Sequence, residues 1–176
     1  MGNRRAAPEK LPSISVVARL RLTYNGRMTL PAIDELIIQW CGELLNALEQ
    51  TSSYQPQTRE LMRRTAVQGA LPLYKNNDWF VAIQPDTTLV KVDDCGDTLR
   101  LTPLSRDNKW ATLALAAGSL EYPQLRQLLP PRPATASNCP HCRGAGFIRI
   151  SAGGSDLKMM CMHCSGVGWI EGKELW

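Results

Sequence analysis

Residues 139–168 contain Cys139-Pro-His-Cys142-Arg-Gly-Ala-Gly146 and, after a spacer, Cys161-Met-His-Cys164-Ser-Gly-Val-Gly168. Both octets read C-x-x-C-x-G-x-G. Their first cysteines lie 22 positions apart, and four of the chain's six cysteines fall in this stretch. A C-x-x-C turn places two sulfurs on one tight bend, and two such turns supply the four thiolates of a tetrahedral structural zinc. Cys139, Cys142, Cys161 and Cys164 are therefore expected to hold one structural Zn²⁺. The glycines bend the chain after the second cysteine and turn backbone N–H groups toward the sulfurs, a path that a Cβ would obstruct. His141 and His163 sit inside the two C-x-x-C units. With four sulfurs bound no coordination place remains for them, and a tight turn directs them outward.

Between the octets, Phe147-Ile-Arg-Ile150 and Leu157-Lys-Met-Met160 flank Ser151-Ala-Gly-Gly-Ser-Asp156. This is the pattern of a β-hairpin with a glycine-rich tip. Such a hairpin brings Cys142 and Cys161 together, so that all four sulfurs converge. A module this small buries too little apolar surface to fold unaided, and metal is expected to hold it together.

The doubled motif, at this spacing, resembles one zinc-binding half of the cysteine-rich domain of DnaJ-type chaperones. That domain carries four such repeats and two zincs; two repeats imply one zinc. The resemblance covers about 30 of the 176 residues. The J domain of those chaperones carries a His-Pro-Asp triplet. The two histidines here are His141 and His163, neither followed by Pro-Asp, so recruitment of the chaperone ATPase is not implied.

Upstream, Pro130-Pro-Arg-Pro-Ala-Thr-Ala-Ser-Asn138 reads as a proline-rich linker over 130–138. It divides a zinc module at 139–176 from an α+β domain at 28–129. Within that domain, residues 31–50 carry Ile33, Leu36, Ile37, Trp40, Cys41, Leu44, Leu45 and Leu48 on one helical face. Thr29 is the expected cap and Pro31 suits the first turn. Cys41, on that face, is expected to be buried and structural. A second helix is expected over 57–68 with Leu61, Met62 and Thr65 inward, stopped by Gly69. The period then shortens to that of strands at 79–83, 88–92 and 98–102, with turns at Pro85-Asp86 and residues 93–97. The result is an antiparallel meander of three strands, or four if 71–74 joins. Asp93, Asp94 and Asp97 match no Ca²⁺-loop spacing and read as a solvated hairpin tip that includes Cys95. A helix over 107–117 is expected to turn Trp110, Leu113, Ala114 and Ala117 inward, and a last helix to begin near Tyr122 with Leu125, Leu128 and Leu129 as its apolar contacts.

This order of helices and meander, with Leu73-Tyr74 and Trp79-Phe-Val-Ala-Ile-Gln-Pro-Asp86, resembles the SUKH superfamily of toxin-immunity proteins. That resemblance implies binding of a protein toxin and no active site.

Composition bounds the remaining choices. A hydrophobic share of 44% supports a packed core, and a charged share of 20% argues against wholesale disorder. No apolar run approaches the ~20 residues that span a bilayer. The basic start lacks an apolar signal core, so a reducing cytoplasm is the expected compartment and metal the expected use of the cysteines. Residues 1–30 hold six Lys/Arg against Glu9, a balance of +5, while residues 31–176 hold fourteen against fifteen acids, a balance of −1. Residues 1–27 thus read as a basic, flexible extension, with a strand over 14–24 and a turn at Asn25-Gly26. The module carries Arg143, Arg149, Lys158 and Lys173 against Asp156, Glu171 and Glu174. That is a poor phosphate footprint for a nucleic-acid-binding zinc ribbon. Nucleotide-binding, serine-hydrolase and zinc-protease motifs are absent, and a four-cysteine zinc leaves no open coordination position. No catalytic residue and no cofactor besides zinc is assigned. The reading is a non-catalytic zinc protein that recognises another protein through the apolar set Phe147, Ile148, Met159, Met160, Met162, Val167 and Trp169. The alternatives are an immunity protein that binds one toxin and a nucleic-acid-binding regulator.

Overall fold

The computed structural model describes residues 21–22, 28–29, 32–51, 54–76, 79–152 and 155–171. A short ladder pairs β1 (Arg21–Leu22) with β2 (Met28–Thr29); the rest of the 14–24 strand and the Asn25-Gly26 turn lie outside the described residues. Helices α1 (Ile33–Gln50) and α2 (Pro56–Val67) pack on one another and on the sheet that follows. The sheet is a meander of four antiparallel strands in sequence order: β3 (Leu71–Asn76), β4 (Trp79–Ile83), β5 (Leu89–Asp94) and β6 (Leu99–Pro103). Helix α3 (Lys109–Gly118) lies on β3 and β4, and a 3-10 helix, Pro123–Leu128, follows it. The fold class is α+β, as the sequence pattern requires.

Burial explains each assignment. Leu36, Ile37, Trp40, Cys41, Leu44 and Leu48 form the buried stripe of α1, the face read from the 3.6-residue period. Burial pushes the Cys41 thiol up to about 11, so it is an inert core group at neutral pH. In α2, Leu61, Met62, Thr65 and Ala66 turn inward. The Thr65 hydroxyl donates to the Leu61 carbonyl at 2.7 Å, which satisfies a fully buried polar atom. Along β4, Phe80, Val81, Ala82 and Ile83 are all buried, so both faces of the sheet centre are covered. β6 is an edge strand and mostly exposed. The β3–β4 register slips between Pro72 and Tyr74, where proline cannot donate to the ladder.

Three local expectations are corrected. Thr29 does not cap α1: the N-cap is Ala32, which makes no side-chain cap bond. The inward face of α3 is Ala111, Ala114, Leu115, Ala116 and Gly118, while Trp110, Leu113 and Ala117 are only half-buried. Small residues let the α3 backbone approach β3 closely: a Cβ on Gly118 would come 2.8 Å from Leu73 Cδ2. Trp110 instead joins an aromatic group at the edge, 5.4 Å from Trp79 and 6.2 Å from Tyr74. Asn108 caps this helix by accepting from the Trp110 N–H at 2.9 Å. The last helix is 3-10 rather than α, with Leu125 fully buried and Tyr122 packed 4.7 Å from Trp40. The 93–97 tip is solvated: Asp94 pairs with Arg64 at 3.0 Å and Asp93 with Lys91 at 2.6 Å, and Cys95 is exposed.

Arg106 ties the far ends of this body together. Its guanidinium donates to the Leu128 carbonyl at 3.2 Å, and to the Thr87 carbonyl and hydroxyl at 3.1 and 2.9 Å. Thr87 has φ of 66°, a costly conformation for a β-branched residue. The clamp holds that turn against the end of the 3-10 helix.

The core assignment is tested by neighbouring residues of opposite burial. Ile37→Ala should lower the unfolding free energy by about 2–5 kcal/mol. Ile38→Ala, at a site 60% exposed, should change it by no more than about 0.5 kcal/mol. Urea denaturation of the full chain measures both.

Candidate metal centre

The segment after the 3-10 helix is more than a spacer. Arg132 donates to the Ala136 carbonyl at 2.6 Å and to the Asn138 side-chain oxygen at 2.7 Å, and Ala136 is buried. Ser137–Asn138 forms β7, which pairs with β10 (Trp169–Ile170) at the opposite end of the module. Between them β8 (Phe147–Ala152) and β9 (Ser155–Met160) form the expected hairpin. The cysteine turns sit where these two ladders meet.

There the four sulfurs of Cys139, Cys142, Cys161 and Cys164 lie within 4.8 Å of one another, and all four residues are buried. The closest approaches run between the two turns: Cys139 to Cys161 at 3.8 Å and Cys142 to Cys164 at 3.7 Å. A tetrahedral ion with bonds of ~2.3 Å to sulfur requires sulfur separations of about 3.8 Å. The sulfurs are thus placed to hold one metal ion. Among the described residues no other group of three or more His, Cys, Asp or Glu is so arranged. His141 and His163 are exposed, their ring centroids 4.3 Å apart.

The geometry repeats itself with a shift of 22 residues. Gly146 N–H donates to Cys142 Sγ at 3.2 Å, and Gly168 N–H to Cys164 Sγ at 3.3 Å. Cys161 N–H donates to the Gly146 carbonyl at 3.0 Å, and Cys139 N–H to the Gly168 carbonyl at 2.9 Å. The Phe147–Met160 pair of the hairpin corresponds to the Trp169–Asn138 pair of the terminal ladder. Positive φ recurs at Arg143 and Ser165, at Gly144 and Gly166, and at Gly146 and Gly168. The centre is therefore a pseudo-two-fold assembly of two equivalent knuckles. The left-handed Arg143 and Ser165 leave no mark in the sequence, because neither residue type advertises that conformation.

The glycines are needed for more than the turn. A Cβ on Gly146 would strike the Gly166 carbonyl oxygen, and one on Gly168 the Gly144 carbonyl oxygen. Each knuckle is thus pressed against the backbone of the other. The module is also pressed against the body: a Cβ on Gly166 would strike the Cβ of Ala116 on α3, and one on Gly146 would come 2.9 Å from Arg126 Nη2.

Burial opposes thiolate formation at Cys139, Cys142 and Cys164. At Cys142 this effect is outweighed, chiefly by the Gly146 N–H, and the thiol is held below its ordinary range. Burial and the neighbouring cysteines push Cys164 up to about 12, and burial raises Cys139 as well. Cys139 and Cys164 thus resist ionisation, so a cation must displace protons from the cluster as it enters. No described helix is long and apolar enough to cross a membrane.

Two outcomes follow from this geometry. Gly146→Ala or Gly168→Ala should weaken metal retention by at least about tenfold, the scale of an outer-shell defect, measured by competition with a chromophoric chelator. The metal-bound cysteines are thiolates while free Cys139 and Cys164 hold their protons above neutrality, so affinity should rise with pH across the neutral range and fall as pH is lowered. The same competition repeated across pH measures that slope.

Comparison of the chain with protein-family models, with curated proteins and with solved structures finds no match in any of the three.

Proposed function

We propose that the chain is a non-catalytic protein-recognition protein whose C-terminal module is held in shape by one structural Zn²⁺ on Cys139, Cys142, Cys161 and Cys164. Four sulfur donors in a tetrahedral cluster suit zinc, and they leave no open position for substrate. The resemblance of the two knuckles to the DnaJ-type zinc domain supports the same metal and a chaperone-like or adaptor role.

One observation carries the recognition reading. Ile148 faces Met159 across the β8–β9 ladder, and Ile150 faces Leu157. Strand alternation puts these four side chains on one face. Ile148, Ile150 and Met159 are 36%, 37% and 44% exposed, and Met162 just beyond is 71% exposed. The other face carries Phe147 and Met160, which turn toward the cleft beside the body and toward Gly166. The hairpin thus has one face whose base, at Phe147 and Met160, is half-buried, and an apolar face left to solvent. Unbranched methionine adapts to varied apolar partners, which favours an adaptor over an immunity protein fitted to one toxin.

The metal half of this reading is tested by elemental analysis of the purified chain. One zinc per chain is expected, and none in Cys142→Ser; a coloured, redox-active iron protein would overturn it. Removal of zinc should collapse the amide spectrum of residues 139–170 while the helical signal of the body persists, since structural zinc contributes roughly 10–16 kcal/mol in comparable modules. For the recognition half, the zinc-loaded chain should suppress aggregation of several chemically unfolded proteins. The Ile148→Ser/Met159→Ser variant should lose that effect at unchanged zinc content. Equal suppression by the variant would sink the idea.

A further inference from the structure

A cleft of about 360 Å³ lies between the first knuckle and the α3 end of the body. Its apolar walls are Leu120, Pro123, Ala145 and Phe147, and its charged walls are Arg126 and Lys158. Arg126 belongs to the 3-10 helix and Lys158 to β9, so the two cations come from opposite sides of the junction. Arg149 faces Lys158 directly across the hairpin ladder and shares its face. Like charges directly opposed across a ladder are unfavourable. Lys158 lies over the Phe147 ring at 5.3 Å. No described carboxylate lines the cleft, and among the described residues Arg126, Arg149 and Lys158 have no ion-pair partner. Asp156, on the same face, is engaged by the Ser151 hydroxyl at 2.7 Å. The cleft is therefore a cationic pocket with apolar walls, assembled from both parts of the chain and with no counter-ion among the described residues.

We infer that this cleft is a second recognition site, on the face of the hairpin opposite the exposed Ile148 and Met159, and receives an acidic side chain, Asp or Glu, flanked by an apolar residue in a partner peptide. The inference rests on the protein-recognition reading and names the chemistry of its partner. Arg126 and Lys158 supply charge-assisted donors for the carboxylate, and Phe147, Leu120 and Pro123 supply the apolar contact. A polyphosphate fits less well. The thiolate cluster lies directly behind Gly146, beside Arg126, and repels a chain of phosphates, whereas one carboxylate is matched by the cations in front of it. A peptide lying here contacts the body and the module together, so its affinity depends on the module being metal-loaded and docked.

The test is selection of a random displayed peptide library on the zinc-loaded full chain, followed by affinity measurement with the selected peptides. Acidic, apolar sequences should be enriched. Their affinity should fall by at least about tenfold in Arg126→Gln/Lys158→Gln, the loss expected for a broken interfacial charge pair. It should survive in Ile148→Ser/Met159→Ser, which alters the opposite face. Zinc content and melting temperature check each variant, and Lys158→Gln alone, away from the knuckle glycine, replaces the double variant if that one loses zinc. Enrichment of neutral apolar peptides that ignore the glutamine changes but are lost in the serine variant would overturn the pocket and leave the recognition reading standing. Displacement of the acidic peptides by a tighter-binding single-stranded oligonucleotide would also overturn it. If no peptide is enriched, the pocket and the recognition reading fall together.

Discussion

Four cysteine sulfurs within 4.8 Å of one another pose a charge problem that shapes everything around them. As thiols they are buried, which raises the cost of ionising Cys139 and Cys164; as thiolates they repel unless a cation sits among them. The surrounding backbone is arranged for the second state. An N–H from each knuckle reaches the second sulfur of its pair, and a glycine in each knuckle admits the carbonyl of the other. Closing both knuckles on one point requires the chain to return on itself, which the β8–β9 hairpin accomplishes. It also requires the entry and exit of the module to meet, which the β7–β10 ladder accomplishes.

Much of this was legible in the sequence because it is encoded locally. The stripe from Leu36 to Leu48 and the spacing of the cysteine octets are signals of fixed period. The alternation from residue 71 onward also survives without knowledge of the partner surface. What stayed hidden depends on surfaces distant in sequence. Apart from Leu115 the inward face of α3 is made of alanine and glycine, which carry little hydropathy contrast, whereas the bulkier Trp110 and Leu113 that stand out in the sequence lie only half-buried at its margin. Ser137 and Asn138 look like the end of a linker; they become a strand only because Trp169 and Ile170 arrive beside them. The placement of Gly166 on Ala116 and of Arg126 over Gly146 belongs to the same class. It is a tertiary contact between residues that look like a motif glycine and a surface arginine.

These contacts also change how the proline-rich segment is understood. Pro130, Pro131 and Pro133 restrict the chain on leaving the 3-10 helix, and Arg132 folds the following turn by bonding to Ala136 and Asn138. The segment aims the module back at α3. Arg106 fixes the 3-10 helix from the other side through Leu128 and Thr87. The cleft that bears Arg126 and Lys158 is thus framed by restrained backbone on the body side and by the knuckle on the module side. Preorganisation of that kind lowers the entropy lost when a ligand is held.

The pseudo-two-fold relation between the knuckles has a physical corollary. The contacts between the knuckles each join one knuckle to its equivalent, so nothing in those contacts distinguishes a partner knuckle in the same chain from one in a second copy. What makes the site intramolecular is its tether: only two residues separate Ala152 from Ser155. So short a tether gives each knuckle a very high local concentration of its twin. The module is in this sense arranged like a homodimer whose two halves are joined by a short tether. Opening the fusion point would turn the same sulfurs and carbonyls into a domain-swapped interface without a single new interaction.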